Sequence, residues 1–377
     1  MSLHRFAFPT TIHFGPGARR LVDDHLLQLG IRRPLIVTDR GLARLPILAD
    51  FRSQLPGLEV EVYGGVFGNP TRKQVDAGTE AFRAHHADCV IGFGGGAALD
   101  VAKAVALMAV HEGDVLEYAW DHPNVRPIVN TLPHFIALPT TSGTGSEVGR
   151  SSVISHYATH VKKIVFSAAL LAKAVFADPE LTLALPADVT AATGMDALTH
   201  NVESYLSPAY HPMCDGIALE GARIAAGALA KAVQDGGNLD ARADMMMSSM
   251  MGAVAFQKDL GAVHSCAHAL GTVVDMHHGL ANGIMIDHVM RFNADAAGAK
   301  MGELARACGA GTSAADFVAW LTRLKAQVGI PARLGTQGVG PAHIASLVEV
   351  AVKDTCHQTN PRPCKAEDFG RIFADAI

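Results

Sequence analysis

The feature that most constrains this chain is the alternation, across its first half, of short β-branched runs with longer helical stretches. Residues 34–39 (PLIVTD), 58–64 (LEVEVYG), 88–94 (DCVIGFG) and 134–140 (HFIALPT) read as strands, and 72–86 and 99–110 carry helical spacing. Helices between successive strands call for parallel pairing, because each crossover returns the chain to the same end of the sheet. The expectation is an α/β nucleotide-binding domain built on a doubly wound parallel sheet. Two further runs, 151–157 (SSVISHY) and 161–167 (VKKIVFS), joined by a short polar link, predict a hairpin.

The pattern changes near residue 186. Beyond it alanine, leucine and methionine recur at helical spacing, with turns at 235–238 (DGGN) and 329–335 (GIPARLG). The segment 178–186 (DPELTLALP) supplies stop and start signals, which places a boundary after Leu185: residues 1–185 form the α/β domain and 186–377 an all-α domain. With 49% hydrophobic and 18% charged residues, 377 residues suffice for two cores. The methionine run at 245–256 reads as a buried helix filled by flexible thioethers.

A formal net charge of −5 gives no cationic field for a phosphate backbone, which argues against nucleic acid as a partner. No apolar run approaches the roughly 20 residues of a membrane span. The opening segment MSLHRFAFPTTIHFG is interrupted by Pro9 too early for a signal peptide, and the six cysteines form no CxxC pair. A cytoplasmic protein with reduced thiols is expected.

Residues 89–107 (CVIGFGGGAALDVAKAVAL) run from a buried strand through a glycine turn into a helix. Gly94, Gly95 and Gly96 clear side chains from the turn, and the following helix N-terminus offers N–H groups to a pyrophosphate, although a purely structural turn has the same appearance. An acid about 20 residues downstream would complete the dinucleotide fingerprint, and Asp121 matches poorly. Asp39, ending the strand at 34–39, is better placed to accept hydrogen bonds from both ribose hydroxyls and to repel a 2′-phosphate, favouring NAD over NADP; it would equally cap the turn after Gly41. In LPTTSGTGSEV (138–148), Thr140, Thr141, Ser142 and Thr144 offer hydroxyls to a nicotinamide or ribose, or to the next helix as caps.

In TGMDALTHNVESY (193–205), Asp196 and His200 stand four residues apart, so on a helix both reach toward one point. Histidines recur at 264, 268, 277, 278 and 288 within LGAVHSCAHALGTVVDMHHGLANGIMIDHV (260–289), and His264 and His268 share a helix face. Nitrogen and carboxylate donors from several helices of a bundle can surround a divalent ion, whereas a single histidine there would be a hydrogen-bonded core residue. The spacing matches neither HExxH nor a zinc finger.

Taken together, GFGGGAALDVAK, ALPTTSGTGSEV, DPELT, GMDALTHNVESY, GAVHSCAHALG, HHGLANGIMIDHV and NPRPCKAEDF occur in order through nearly the whole chain and resemble the iron-containing (group III) alcohol dehydrogenase family. The resemblance implies a dehydroquinate synthase-like fold, with metal ligands at Asp196, His200, His264 and His278. It makes His268 either a histidine supporting the ligands from behind or a proton relay, not itself a ligand, and His277 a neighbour. It carries cofactor contacts to Asp39, Asn69, Gly95, Gly96, Asp100, Thr140, Thr141, Thr144 and Lys162. Ala97 departs from the family's usual serine and removes a phosphate hydroxyl; Ala172 stands where proline is common.

The implied reaction is NAD-linked alcohol oxidation or aldehyde reduction, with Fe(II) favoured by resemblance although intrinsic affinity favours Zn(II). The implied partners are a small alcohol or aldehyde and a second copy of the chain as a homodimer. A maleylacetate-type or hydroxy-acid/oxo-acid reductase of the same fold and a dehydroquinate-synthase-like lyase are the alternatives. Adjacency to the motifs adds Arg150, Ser151, Phe256, Lys258, Cys266, Cys356 and His357 as pocket candidates. An inward-pointing Arg150, Lys258 or His357 would select an anionic substrate.

Overall fold

A computed structural model describes residues 8, 10–156 and 161–377. The chain divides into two units, one comprising Phe8–Thr141 and Gly145–Thr182, the other Leu183–Ile377 together with Ser142–Thr144.

In the first unit, strands β1 (Thr11–Phe14), β2 (Pro34–Asp39), β3 (Glu61–Val66), β4 (Cys89–Gly94) and β5 (His134–Pro139) alternate with helices α1 (Val22–Gln28), α2 (Pro46–Ser53), α3 (Arg72–Ala84) and α4 (Gly96–Val110). The strands β6 (Ser151–Ser155), β7 (Lys162–Phe166) and β8 (Ala174–Ala177) follow. Six strands pair in the order β1-β8-β5-β4-β2-β3, every pair parallel. The central strand β4 is buried along its whole length, as a continuous apolar run covered on both faces must be. β6 and β7 form the antiparallel hairpin, pairing Ser151 with Phe166 through Ser155 with Lys162. Its link at 157–160 lies outside the described residues, as does most of the opening segment read against a signal peptide.

The sequence pattern misses β1 and β8. Each has only four residues, too few for a period of two to declare itself, and their pairing with each other is what makes them strands.

The second unit holds α5 (Ala187–Leu206), α6 (Pro212–Gln234), α7 (Leu239–Ala255), α8 (Ala262–Val274), α9 (His278–Ala307), α10 (Ala314–Gln327), α11 (Ile344–Lys353) and α12 (Ala366–Ala376). Helix α5 is buried continuously from Met195 to Leu206, with neighbours on every side instead of one apolar stripe. The start of α9 approaches it at Gly279, where an added Cβ would stand 2.3 Å from the Ala192 carbonyl oxygen, so only glycine permits this crossing. The methionine run lies on α7, with Met245, Met246 and Met250 in the core. Lys325 ties α10 to α9 by donating to Asp287 Oδ1 (2.5 Å) and the Ile284 carbonyl (2.6 Å), which satisfies a charge the core would otherwise expel. Among the described residues no helix is long and apolar enough to cross a membrane.

Candidate metal centre and nucleotide loop

In the α/β unit, the turn after β4 begins with Gly94 at φ +153°, where an added Cβ would meet Ala98 Cβ at 2.7 Å and Asp39 Oδ2 at 3.6 Å. The Asp39 carboxylate therefore lies against the glycine turn with one oxygen toward it. The other, Oδ1, accepts from the backbone N–H groups of Gly41 (2.8 Å) and Leu42 (2.9 Å), so the cap anticipated for Asp39 exists alongside the exposed edge. Gly95 is the N-cap of α4, which has no side-chain cap and no acid in its first turn, leaving the first N–H groups of the helix available to an anion. An added Cβ on Gly95 would stand 3.2 Å from Thr141 Oγ1, and the Thr140 N–H donates to the Gly94 carbonyl (3.1 Å); the two loops are thus adjacent.

Four other anticipated contacts differ in setting. Asp100 is buried, and both its oxygens are taken up by the chain itself: Oδ1 by the Ser146 hydroxyl (2.6 Å) and Oδ2 by the Val153 N–H (3.1 Å). It fixes the loop before the hairpin. Burial raises the Asp100 carboxyl above its usual range, and Lys103 and, more weakly, Lys162 offset this only in part. Asn69 is exposed in the loop after β3. Thr144 is exposed and groups with the helical unit, together with Gly143, whose carbonyl accepts from Ser249 Oγ (3.0 Å).

In the helical unit, Asp196 and His200 meet His264 from α8 and His278 from the first turn of α9. Asp196 Oδ1 stands 3.9 Å from His200 Nε2, 3.7 Å from His264 Nε2 and 3.5 Å from His278 Nε2. Donors bonded to one ion at about 2.1 Å in a tetrahedron stand roughly 3.4 Å apart, close to these three separations, and the donor atoms of Asp196, His200 and His264 all lie within 4.8 Å of one another. One carboxylate and three neutral imidazoles would leave such an ion a net +1 charge. The side chains of Asp196, His200 and His264 are at most 4% exposed against 28% for His278, so the cage opens on the His278 side.

Glu203, one turn beyond His200, organises this cage. Its carboxylate accepts from His264 Nδ1 (2.6 Å) and from the backbone N–H groups of Gly261 (3.0 Å), Val263 (2.7 Å) and His264 (3.3 Å), capping α8 while holding the His264 ring. A proton fixed on Nδ1 leaves Nε2 facing Asp196.

Burial opposes ionisation of Asp196, yet His200, His278 and His264 outweigh it and hold its carboxyl well below the usual range. Burial pushes His200 down to about 4 against the pull of Asp196. His264 is equally buried but is raised to about 9, because it is hydrogen-bonded to two carboxylates, Asp196 and Glu203. His268 sits beside the cage with its ring stacked on His278 at 5.3 Å, and its Nδ1 bonds Asp354 Oδ2 (2.8 Å). Asp354 Oδ1 accepts from Ser265 Oγ (2.7 Å) and the Cys356 N–H (2.9 Å). His277 caps α9, and His288 bonds the Ala332 carbonyl instead of joining the cluster.

Residues 9–179 match the family described as "Iron-containing alcohol dehydrogenase", and residues 190–377 match "Fe-containing alcohol dehydrogenase family, C-terminal". The chain belongs to the iron-containing alcohol dehydrogenase family. The 4-hydroxybutyrate dehydrogenase of Cupriavidus necator is 38% identical, the match covering 98% of each chain. A crystal structure of a 1,3-propanediol oxidoreductase superposes over 100% of both chains with a TM-score of 0.95 and 36% identity. A sulfoacetaldehyde reductase from Bifidobacterium kashiwanohense, solved with NAD+, superposes with a TM-score of 0.91 and 28% identity over 100% of this chain and 99% of that one. The protein is accordingly an oxidoreductase of the alcohol dehydrogenase type, in a family for which a metal and NAD(H) are typical.

As a member of this family, the chain shows supporting residues that motif reading passed over. Glu203 follows His200 at i+3, a helical spacing that does signal a shared face. Asp354 lies 86 residues from His268 and carries no sequence signal. Of the pocket candidates, Phe256 does pack on His200, with ring centroids 5.3 Å apart. The cations are engaged elsewhere: Lys258 is fully buried and paired with Asp215, the His357 ring packs edge-on against Phe369, and the Arg150 guanidinium lies over Phe166.

Proposed function

We propose that this chain is an NAD(H)-linked, Fe(II)-dependent alcohol dehydrogenase and aldehyde reductase, with Zn(II) as the competing metal. The observation that carries the reading is the convergence of three imidazole Nε2 atoms on Asp196 Oδ1. An ion bound there supplies Lewis acidity, which lowers the pKa of an alcohol and polarises a carbonyl.

The chain's own residues do the rest. Asp196, His200, His264 and His278 hold the ion, with Glu203 keeping the His264 lone pair aimed inward. The Asp354 carboxylate fixes the His268 tautomer, leaving Nε2 to take the alcohol proton and pass it to solvent. A bound nicotinamide would supply the acceptor for the hydride that the alcohol carbon releases as its C–O bond becomes a carbonyl. The α4 N-terminus at Gly95 and Gly96 receives the pyrophosphate, and Thr140, Thr141 and Thr144 offer hydroxyls to the nicotinamide and its ribose. Asp39 takes the other ribose and disfavours a 2′-phosphate, which supports NAD over NADP. Asn69 and Lys162 complete the cofactor contacts, and Asp100 contributes by fixing its loop. The same reading extends to a cytoplasmic location, consistent with six free cysteines, and to the homodimer implied by family resemblance.

With Lys258 and His357 engaged by their own partners, neutral alcohols and diols are expected before anionic ω-hydroxy acids. The test is an anaerobic NADH-linked assay on ferrous-loaded and stripped protein, using primary alcohols, diols, ω-hydroxy acids and the matching aldehydes. Ion-dependent turnover is expected; no turnover of any of these by loaded protein would overturn the reading.

A further inference from the structure

Asn282 reaches the heart of the cage. It lies four residues beyond His278 on α9, fully buried, on the same helix face. Its Nδ2 is 2.7 Å from Asp196 Oδ1, 3.2 Å from His278 Nε2 and 3.3 Å from His264 Nε2. Its Oδ1 is buried with no hydrogen-bond partner among the described residues. Reversing the amide would set Oδ1 against the Asp196 carboxylate, acceptor against acceptor, so the ionised aspartate dictates the orientation seen. A buried amide oxygen left without a partner is costly, and that cost is borne only because the two N–H donors face this side of the cage.

We infer that Asn282 is a place-holding donor that competes with the metal ion for Asp196 and His278, keeping the ligands assembled in ion-free protein and setting how tightly the ion is held. Each lone pair serves one partner at a time. An imidazole nitrogen that accepts from the amide has none left for an ion, and loading the site obliges the amide to release at least the His278 contact. Without Asn282 the ion-free cage keeps an ionised carboxylate lacking its nearest donor, while the loaded cage loses nothing that the ion requires. Asn282 is thus a positioning residue whose amide partly offsets the charge of Asp196 when the ion is absent.

The inference rests on the metal reading of the site, and the experiment separates the two. Full-length Asn282→Leu, similar in volume but without donors, is compared with wild type by Co(II) titration against a competing chelator and by thermal unfolding with and without Zn(II). The variant is expected to bind Co(II) about tenfold more tightly, the equivalent of one net hydrogen bond. It is also expected to melt at lower temperature only when ion-free. Equal or weaker Co(II) binding by the variant would overturn the inference while leaving the metal site standing; no Co(II) binding by wild type would overturn both. Should the variant fail to fold, wild-type crystals with and without Zn(II) decide: the Nδ2 to His278 Nε2 separation lengthens beyond hydrogen-bond reach on loading, or the inference fails.

Discussion

Asp196 in the helical unit and Glu147 in the α/β unit are both buried carboxyl groups, and they titrate in opposite directions. Burial pushes Glu147 up to about 7, only partly offset by its own backbone and by Lys103. The same desolvation acts on Asp196, but three imidazoles converge on it and hold it ionised. Lys103 has one charge to give and spends its hydrogen bonds on the Ser146 carbonyl (2.6 Å), the Ser146 hydroxyl (2.9 Å) and the Ser151 carbonyl (2.8 Å). Its ammonium also stands 3.8 Å from Asp100 Oδ1, leaving Glu147 the weakest share. The lesson is that burial does not decide the state of a carboxyl; the number of cationic or donor groups aimed at it does. A carboxylate held ionised by the histidines that converge on it is able to accept a cation, whereas one kept near neutrality is a structural group.

Asp196→Asn removes the charge around which the imidazoles gather, and we expect ion content, measured by elemental analysis, and turnover to fall together to background. In the α/β unit, Lys103→Met leaves the Ser146 and Ser151 carbonyls without their donor and Asp100 without its counter-charge. Losing one partner of a buried ionic network is expected to cost about 3–5 kcal/mol in denaturant unfolding, with no direct loss of ion content.

Glu147 sharpens the contrast through pH. Its folded pKa lies above the unfolded value, so the folded state binds the extra proton between about pH 4.5 and 7. Its stabilising effect is present below the unfolded pKa and is lost as pH rises through about 7, by roughly 3 kcal/mol in total. Glu147→Gln should abolish that slope in unfolding curves measured across the range. The smallest effect is expected at Glu203→Gln, where the fold persists but His264 loses its charged orienting partner. Ion affinity measured by chelator competition should weaken roughly 10–100-fold, as for other carboxylate–histidine–metal arrangements.

Much of the fold was legible because its signals are local. The run at 34–39 is β2 to the residue, and Arg72 does begin α3, since strand and helix periods are set by neighbours within a turn. The Asp196 and His200 pairing was legible for the same reason. Asp39 carries the cap anticipated for it, Oδ1 accepting from the Gly41 and Leu42 N–H groups. Asp100 read as a cofactor contact through the motif it belongs to, and only the contacts of Ser146 and Val153 reveal that its oxygens are already occupied. Ser142–Thr144 group with the helical unit although they sit within the α/β segment of sequence, because Gly143 packs against Thr193.

The order of strands and helices, the glycine turn and the Asp196 and His200 half of the cage follow from sequence alone, because each is fixed by residues a few positions apart. The other half of the cage required α8 and α9 to arrive at α5 in one register. That register depends on the backbone approach at Gly279, on Glu203 capping a helix 58 residues further along, and on Asn282 reaching across to Asp196. Such contacts pair groups with no shared period. Close packing decides which of them meet, and with that decides which histidines gather at Asp196 and which remain ordinary core and surface residues.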